Sequence, residues 1–532
     1  MLSQPNITAP VNHDRVAVIG AGPAGVVAAK HLLEAGFEPI VFEQSDDLGG
    51  QWQTRARSSG IWPGMRTNTS RTTTAFSDFP LPPSAAMFPR AETIHAYLHE
   101  YAEHFGVRDR VRTGTRVGRV GRAPEGWTVR WIEDAGQREE HFGRVVVASG
   151  RFRRPHFPAI EGLDALATQG CVRHSMNYAG REEFRGKRVL VYGNSISGLE
   201  IAADLAADDT ITVTSACRQP RYVLQKVVGG LPTDWRWFNR LMALVSNALP
   251  PEQLAEAMRD RVLAETGDPA RYGGLPVDPD APPKLSQSQE YLSYLAEGRI
   301  VARRAVRSVE GGTVRFDDGS EIAVDALICA TGYDVDLGYL SDDVRRTLRA
   351  DDTHLDLHAR TFHPDLPGLA VLGQYLLIGP YFPTVELQAR WVATLWSGGV
   401  PAPSRERMLN SIIEHRAARE RMPSDIYPML AALLAGELGV EPDLASRPGL
   451  ASGLLFGPLA PARYRLDGPG SLPQAEALLG AALEDFGPSP ATPQQIATLR
   501  MVADALADPS LVQIAEQLAA AQASIPRVSL SS

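Results

Sequence analysis

The 532-residue chain contains little cysteine, and its three cysteines, Cys171, Cys217 and Cys329, form no C-x-x-C or other close pair. This spacing excludes a disulfide framework and a sequence-local redox dithiol. The chain also lacks the run of about 18 apolar residues that a membrane helix requires, and its N-terminus lacks the basic and apolar segments of a secretion signal. We therefore expect a cytoplasmic protein without membrane attachment.

Positive charge is not in excess either. Lysine and arginine number 53 against 62 acidic residues, so the formal net charge is -9, and we expect no nucleic-acid partner. Hydrophobic residues make up 44% and charged residues 22%, as in an ordinary globular protein. The length predicts two or three domains.

A glycine-rich turn lies close to the N-terminus. The pattern of residues 15 to 45 predicts a strand, a turn, a helix and a second strand. Five residues of the turn VAVIGAGPAG are candidate dinucleotide contacts: Gly20, Gly22, Pro23, Ala24 and Gly25. The second strand ends at Glu43, 18 residues after Gly25, where a carboxylate accepts hydrogen bonds from a ribose hydroxyl. A carboxylate there repels a 2′-phosphate, which favours FAD or NAD.

A second turn of the same plan lies within residues 187 to 218, in the stretch VLVYGNSISGLE. Ser195 replaces the middle glycine, and its hydroxyl can donate to a phosphate oxygen. The strand that follows ends without a carboxylate, whereas Arg218 and nearby Arg221 supply positive charge where a 2′-phosphate would lie. This second site is therefore predicted to bind NADPH. Its candidate contacts are Gly193, Asn194, Ser195, Ser197, Gly198 and Arg218.

Two such units predict an α/β protein with two Rossmann-like domains. The segments RVVVASGRFRRPHFP (144 to 158) and ALICATGYD (326 to 334) both read as a strand ending in a turn. The simplest topology has the first domain leave at one segment and return at the other; two unrelated strands are the alternative. The predicted domains are an FAD-binding domain (1–165 and 325–450), an inserted NADPH-binding domain (166–324) with an insertion at about 229–284, and a mostly helical C-terminal extension (451–532).

Further segments resemble the flavin-containing monooxygenases, class B flavoprotein monooxygenases related to the Baeyer–Villiger enzymes. The resemblance rests on DDLGGQW, on MRTNTSRTTTAFSDFP, on TQGCVRHSMNY with His174 and Tyr178 in register, and on the ATGY and VELQARW segments. It implies that Asn68 is the active-site asparagine, which touches both flavin and nicotinamide, and that His174 organises the domains without being catalytic. The further cofactor contacts that it implies are Gly50, Gln51, Trp52, Thr67, Asn68, Thr69, Thr331 and Gln388.

The resemblance also implies a reaction. NADPH reduces FAD, O2 adds to give a flavin 4a-hydroperoxide, and an amine nitrogen or a sulfur of a small molecule takes one oxygen. The position of Tyr178 is usually Trp in Baeyer–Villiger members, so heteroatom oxygenation is favoured. Baeyer–Villiger oxygenation of a ketone is one alternative, and an NADPH oxidase or flavin reductase is another. No metal-ligand cluster is apparent. The Ala-rich C-terminal patterns are expected to pack against the body or a partner subunit, which leaves a homodimer open.

Overall fold

Two parallel sheets form the framework of the protein. In a computed structural model, the structure describes residues 13–53, 59–133, 136–486 and 491–523. Each sheet has five strands, and each contains one of the two predicted strand–turn–helix units. Because both faces of a parallel sheet are covered, its strands consist of nearly continuous apolar runs, as in RVAVI and RVLVY.

The first sheet is built around the strand Arg15–Ile19, which pairs in parallel with Glu38–Phe42 on one side and Arg144–Val147 on the other. Ala17 is paired with both Ile40 and Val145 in this register. The complete order is Leu369–Val371, Arg144–Val147, Arg15–Ile19, Glu38–Phe42 and Val111–Arg112. The helix Pro23–Glu34 leaves the central strand and packs against the helices Ala91–His104 and Tyr381–Trp396.

The second sheet repeats this arrangement around Arg188–Tyr192, from which the helix Ile196–Ala206 leaves. Its order is Ile300–Arg303, Thr212–Ala216, Arg188–Tyr192, Ala326–Cys329 and Val172–His174, all parallel. The mixed fold with two Rossmann-like sheets and a helical C-terminal region agrees with the predicted fold class.

The strand Ala326–Cys329 corrects one predicted boundary. The sequence analysis assigned residues from 325 onward to the first domain, but this strand pairs in parallel with Arg188–Tyr192 and so completes the second sheet. Its apolar side chains are buried there on both faces. The chain crosses back just afterwards, where Tyr333–Asp334 pairs antiparallel with Arg154–Pro155. The two crossing segments therefore lie side by side.

The remaining elements surround these sheets. Two antiparallel three-stranded sheets comprise Arg116–Arg122, Trp127–Glu133 and Gly136–Phe142, and Val306–Glu310, Thr313–Phe316 and Glu321–Ala323. Short strand pairs are Tyr222–Leu224 with Leu285–Gln287, Val227–Val228 with Leu231–Pro232, and Leu377–Ile378 with Asp425–Ile426. Further α-helices are Leu163–Thr168, Tyr291–Ala296, Asp342–Thr347, Arg405–Arg421, Tyr427–Leu438 and Ala451–Phe456.

The predicted insertion is helical and only partly superficial. It contains the helices Thr233–Trp237, Arg240–Ala248 and Pro251–Glu265. The first of these is buried except for Arg236. The C-terminal helices are Ala475–Glu484, Pro493–Leu506 and Pro509–Ala523, and the last two share an apolar core with Arg240–Ala248. Every helix in the described residues is too short or too polar to span a lipid bilayer.

Candidate functional site

The first turn requires its outer glycines for steric reasons. Gly20 has a φ of +104°, and a Cβ there would lie 2.6 Å from the Ala148 carbonyl oxygen. A Cβ on Gly25 would lie 1.8 Å from the Gly20 carbonyl oxygen, so only glycine allows the helix to begin this close to the strand. The helix begins at Pro23, which is favourable at a first helical position. The unpaired N–H groups of this helix end can therefore bind an anion.

The second turn has the same construction despite its serine. Gly193 has a φ of +124°, and a Cβ on Gly198 would lie 1.9 Å from the Gly193 carbonyl oxygen. Ser195 is the N-cap residue of the helix Ile196–Ala206, and its side chain makes no capping hydrogen bond to that helix. Its hydroxyl thus lies at a helix N-terminus without serving the helix itself, which suits a bound phosphate.

One cavity of about 920 Å³ joins the two turns. Thirteen of the sequence-predicted contacts line it: Gly20, Gly22, Pro23, Ala24, Glu43, Gly50, Gln51, Trp52, Thr67, Asn68, Thr69, Ser195 and Ser197. Seven do not line it: Gly25, Gly193, Asn194, Gly198, Arg218, Thr331 and Gln388. The first four of these seven shape or flank the turns, so their absence from the wall follows from the turn geometry.

Thr331 and Gln388 lie behind the wall. The Thr331 hydroxyl donates to the carbonyl oxygen of His156 in the neighbouring crossing segment. The fully buried Gln388 accepts from the Gly373 N–H at 3.0 Å and donates to the Arg360 carbonyl oxygen at 2.9 Å. Gly373 does line the cavity. Gln388 therefore fixes a wall residue instead of touching the cavity, which corrects the predicted direct contact.

Glu43 is held in place by the first turn. Its Oε2 accepts from the Ala21 N–H at 2.8 Å and its Oε1 accepts from the Ser45 N–H at 2.9 Å. The residue is only 6% exposed and borders the cavity. Each carboxylate oxygen retains a further acceptor position, so the group can receive ribose hydroxyls without moving.

Asn68 lies in a loop that the insertion fastens. Its Oδ1 is buried without a hydrogen-bond partner among the described residues, and Asn68 lines the cavity. Two residues on, the Ser70 N–H and hydroxyl donate to the Asp234 carboxylate, the hydroxyl at 2.6 Å. The Thr73 hydroxyl donates to the same carboxylate at 2.6 Å. Asp234 is 1% exposed, and burial raises its pKa. The sequence analysis missed this residue, because its partners lie about 160 positions away.

Arg151 is a second residue that sequence reasoning missed. It is 2% exposed and lines the cavity, yet its Nε and Nη1 have no hydrogen-bond partner in the part of the chain that the structure describes. Burial lowers its pKa. Because a buried cation without partners is costly, the Arg151 guanidinium fits an occupant that is rich in acceptors, as the diphosphate of a dinucleotide is.

Positive charge accumulates beside the second turn. Arg218 is exposed outside the cavity, whereas Arg221 is half-buried and lines it. Burial lowers the pKa of Lys284, and the charges of Arg221 and Arg218 lower it further. Burial also lowers the pKa of Arg221. Three cations gathered beside this turn are a suitable receptor for a dianionic phosphate.

His174 lies away from the cavity wall. Its Nδ1 accepts from the Met176 N–H at 3.1 Å, so Nε2 carries the proton and donates to the Gly332 carbonyl oxygen at 2.9 Å. Burial lowers its pKa to about 4. A neutral histidine that joins the second sheet to the returning crossing segment is a structural group, in agreement with the role that the sequence implied.

Two parallel sheets that direct glycine turns and helix N-termini into one cavity define a dinucleotide-binding protein of the doubly wound class. The chain matches the sequence model of the flavin-binding monooxygenase-like family over residues 13–484 and belongs to that family. It is a flavin-dependent monooxygenase.

Named relatives agree with this assignment. The chain is 30% identical to dimethylaniline monooxygenase [N-oxide-forming] 2 of Rattus norvegicus over 86% of this chain and 89% of that protein. The fold resembles S-allyl-L-cysteine S-oxygenase from Allium sativum, with a TM-score of 0.54, 20% identity, and 96% and 98% of the two chains covered. It also resembles NADP+-bound cyclohexanone monooxygenase from Rhodococcus sp. Phi1, with a TM-score of 0.59, 18% identity, and 80% and 97% coverage.

Proposed function

We propose that this flavin-dependent monooxygenase uses FAD, NADPH and O2 to oxygenate a nitrogen or sulfur atom of a small molecule. The observation that carries the proposal is one cavity that is lined by described residues of both glycine turns and by Asn68. One cavity lets a hydride donor, a flavin and a substrate meet at the same place. The overall reaction balances as NADPH, H+, O2 and substrate giving NADP+, water and the mono-oxygenated substrate.

FAD is assigned to the first turn. Gly20, Gly22 and the start of the helix at Pro23 would hold the diphosphate, and Glu43 would accept the adenosine ribose hydroxyls. The unpaired guanidinium of Arg151 would meet negative charge on the same cofactor. A bound flavin supplies hydride acceptance from a nicotinamide and the transfer of one atom of O2 to a substrate. The protein supplies binding, orientation and exclusion of water.

NADPH is assigned to the second turn. Ser195 and Ser197 line the cavity at the N-terminus of their helix, where hydroxyl and N–H groups can donate to the diphosphate. Arg218, Arg221 and Lys284 would bind the 2′-phosphate, which NADH lacks. The serine in the middle of this turn adds a donor where a glycine would offer only backbone, so it suits a cofactor that is bound and released.

Asn68 would position the reacting groups. Its uncharged amide offers an acceptor through the unpaired Oδ1 and donors through Nδ2, so it can hold an oxygen atom or an amide-like ring edge without transferring a proton. The Asp234 carboxylate fixes the loop that carries it. Apolar wall residues such as Trp62, Phe238 and Leu377 would keep water away and accept an uncharged amine or sulfide.

Heteroatom oxygenation is favoured over ketone oxygenation by the relative named as N-oxide-forming, which is similar over most of both chains. The experiment is to incubate the purified enzyme with NADPH, O2 and, separately, trimethylamine, methyl phenyl sulfide and cyclohexanone. We expect N-oxide or sulfoxide to form fastest, with NADPH strongly preferred to NADH. Faster lactone formation from cyclohexanone would instead assign Baeyer–Villiger oxygenation, and hydrogen peroxide without any oxygenated product would assign an NADPH oxidase.

A further inference from the structure

Three metal-ligating side chains meet outside the cavity. His95 and His99 lie one turn apart on the helix Ala91–His104, and Asp47 lies in the loop that leads to the cavity-lining residues Gly50 and Gln51. All three are partly exposed. The fold thus brings together two imidazoles on one helix face and a carboxylate that is 48 positions away in sequence.

The distances between the candidate ligand atoms have the size of a coordination sphere. His99 Nε2 lies 3.1 Å from Asp47 Oδ2, His95 Nε2 lies 3.3 Å from His99 Nε2, and His95 Nε2 lies 3.5 Å from Asp47 Oδ2. With zinc bonds of about 2.0 to 2.2 Å, the edge of a tetrahedron is about 3.3 to 3.6 Å. The three atoms therefore occupy three corners of a nearly regular tetrahedron.

The carboxylate is oriented for this role. Asp47 Oδ1 accepts from the Leu48 N–H at 2.9 Å and from Arg108 Nη1 at 3.4 Å, which leaves Oδ2 directed toward the imidazoles. Such outer hydrogen bonds fix the ligands of metal sites. Hydrogen bonds alone satisfy these three side chains less well than a bound cation would. His95 Nε2 also lies 3.1 Å from the Leu48 carbonyl oxygen, so both Nε2 atoms would carry protons while facing one another.

We propose that Asp47, His95 and His99 form a binding site for a single zinc ion, with the fourth position open to water. Bound zinc would fasten the helix Ala91–His104 to the loop at Gly49, where an added Cβ would lie only 2.7 Å from His95 Cδ2. Because this loop continues into the cavity wall, the ion would stabilise the cofactor-binding turn without taking part in the reaction. The proposal does not depend on the substrate.

The test uses flavin-loaded, tag-free enzyme that has been treated with chelator and dialysed against Zn2+, with zinc and flavin measured per chain. We expect one zinc per chain in the wild type and in the control H104Q, which changes an exposed histidine on the same helix. H95Q and H99Q should bind zinc more weakly by more than the roughly 10- to 100-fold that loss of an outer partner costs. Zinc should raise the thermal midpoint of the wild type and leave that of H99Q unchanged.

Equal zinc binding by the wild type and the H95Q/H99Q double variant would overturn the proposal, as would a wild type that binds no zinc. Bound flavin in each variant reports that it has folded. If a histidine variant loses its flavin, D47N takes its place, since it keeps both histidines and weakens the ligand oxygen. Zinc affinity equal to that of the wild type in D47N would contradict the assignment of the carboxylate.

Discussion

Three polar side chains in the cavity wall have buried atoms for which the described residues supply no hydrogen-bond partner: Asn68, Arg151 and Ser286. Leaving a buried polar group unsatisfied costs about 1 to 3 kcal/mol, and more for a charge. Such groups persist where a ligand completes them. At the residue scale, therefore, the unpaired Arg151 nitrogens require acceptors and the unpaired Asn68 oxygen requires a donor, and a bound dinucleotide offers both.

Asn68 provides the first prediction. N68A and N68D should retain flavin and be reduced by NADPH, because neither glycine turn is changed. Both should form oxygenated product about 100-fold more slowly and release hydrogen peroxide instead. Neither the methyl group of alanine nor the carboxylate of aspartate holds the reacting oxygen as the amide does. Product and peroxide are measured per NADPH consumed. Product yields equal to those of the wild type would refute the role assigned to Asn68.

Arg218 provides the second prediction. R218A should raise the KM for NADPH by about tenfold to 100-fold and change the KM for NADH little, because a guanidinium that binds a 2′-phosphate contributes about 1.5 to 3 kcal/mol. The matched control is R185A, which removes another exposed arginine of the same domain, ion-paired with Asp208. Steady-state kinetics with both cofactors decide. An equal effect on NADPH and NADH would rule out 2′-phosphate recognition by Arg218.

The sequence predicts those site residues that belong to a local pattern. The glycines, Glu43 and Asn68 each stand at a fixed spacing from a strand or within a characteristic stretch, and the structure places Glu43 and Asn68 in the cavity wall. Arg151 and Asp234 belong to no such pattern, because the role of each depends on residues that only the folded chain brings close to it. Gln388 lay in a matching stretch, yet it acts through Gly373.

At the scale of elements, the two strand–turn–helix units are equivalent in construction and differ in location. In each unit, a Cβ added to the last glycine of the turn would meet a backbone carbonyl oxygen at less than 2 Å. This glycine is Gly25 in the first unit and Gly198 in the second. Such overlap cannot be relieved by a side-chain rotation, so an alanine must push the helix away from its strand. Substitutions at these two positions therefore allow binding at the first turn and binding at the second turn to be disrupted separately.

We predict that G25A is purified with little flavin, whereas G198A retains flavin and is reduced by NADPH at least about tenfold more slowly at low NADPH concentration. The control is G436A, within the helix Tyr427–Leu438, where an added Cβ meets open space. It should be neutral or stabilising by up to about 1 kcal/mol. Flavin absorbance per chain and stopped-flow reduction measure both effects. Flavin loss in G198A but not in G25A would reverse the assignment of the turns.

The helix Thr233–Trp237 provides the fourth prediction, because its Asp234 fastens the Asn68 loop. In D234N an amide N–H group replaces an acceptor that faces three donors, at a cost of about 1 to 3 kcal/mol. Flavin content should be unchanged while product per NADPH falls and peroxide rises, as in N68A but less severely. D260N, an exposed change on the helix Pro251–Glu265, is the control. Coupling as tight as in the wild type would show that the loop needs no fastening.

At the scale of the whole molecule, the sequence was sufficient for two doubly wound units and for the chain leaving and re-entering the first. The sequence did not predict which sheet the strand Ala326–Cys329 joins. A buried apolar strand has the same residue pattern in either sheet, and packing decides its partner. The sequence also contained no sign that the first helix of the insertion contributes Thr233 and Asp234 to the cavity wall. Strand pairing and burial of this kind depend on residues far apart in sequence, so no local periodicity predicts them.

The central claim is that one atom of O2 reaches a substrate heteroatom at the cost of one NADPH. The most direct measurement is a single reaction under 18O2 with methyl phenyl sulfide, in which NADPH, peroxide and the isotopic mass of the sulfoxide are determined together. We expect sulfoxide that carries one 18O, formed in a ratio near one to the NADPH consumed. Unlabelled sulfoxide, or peroxide equal to the NADPH consumed, would contradict it.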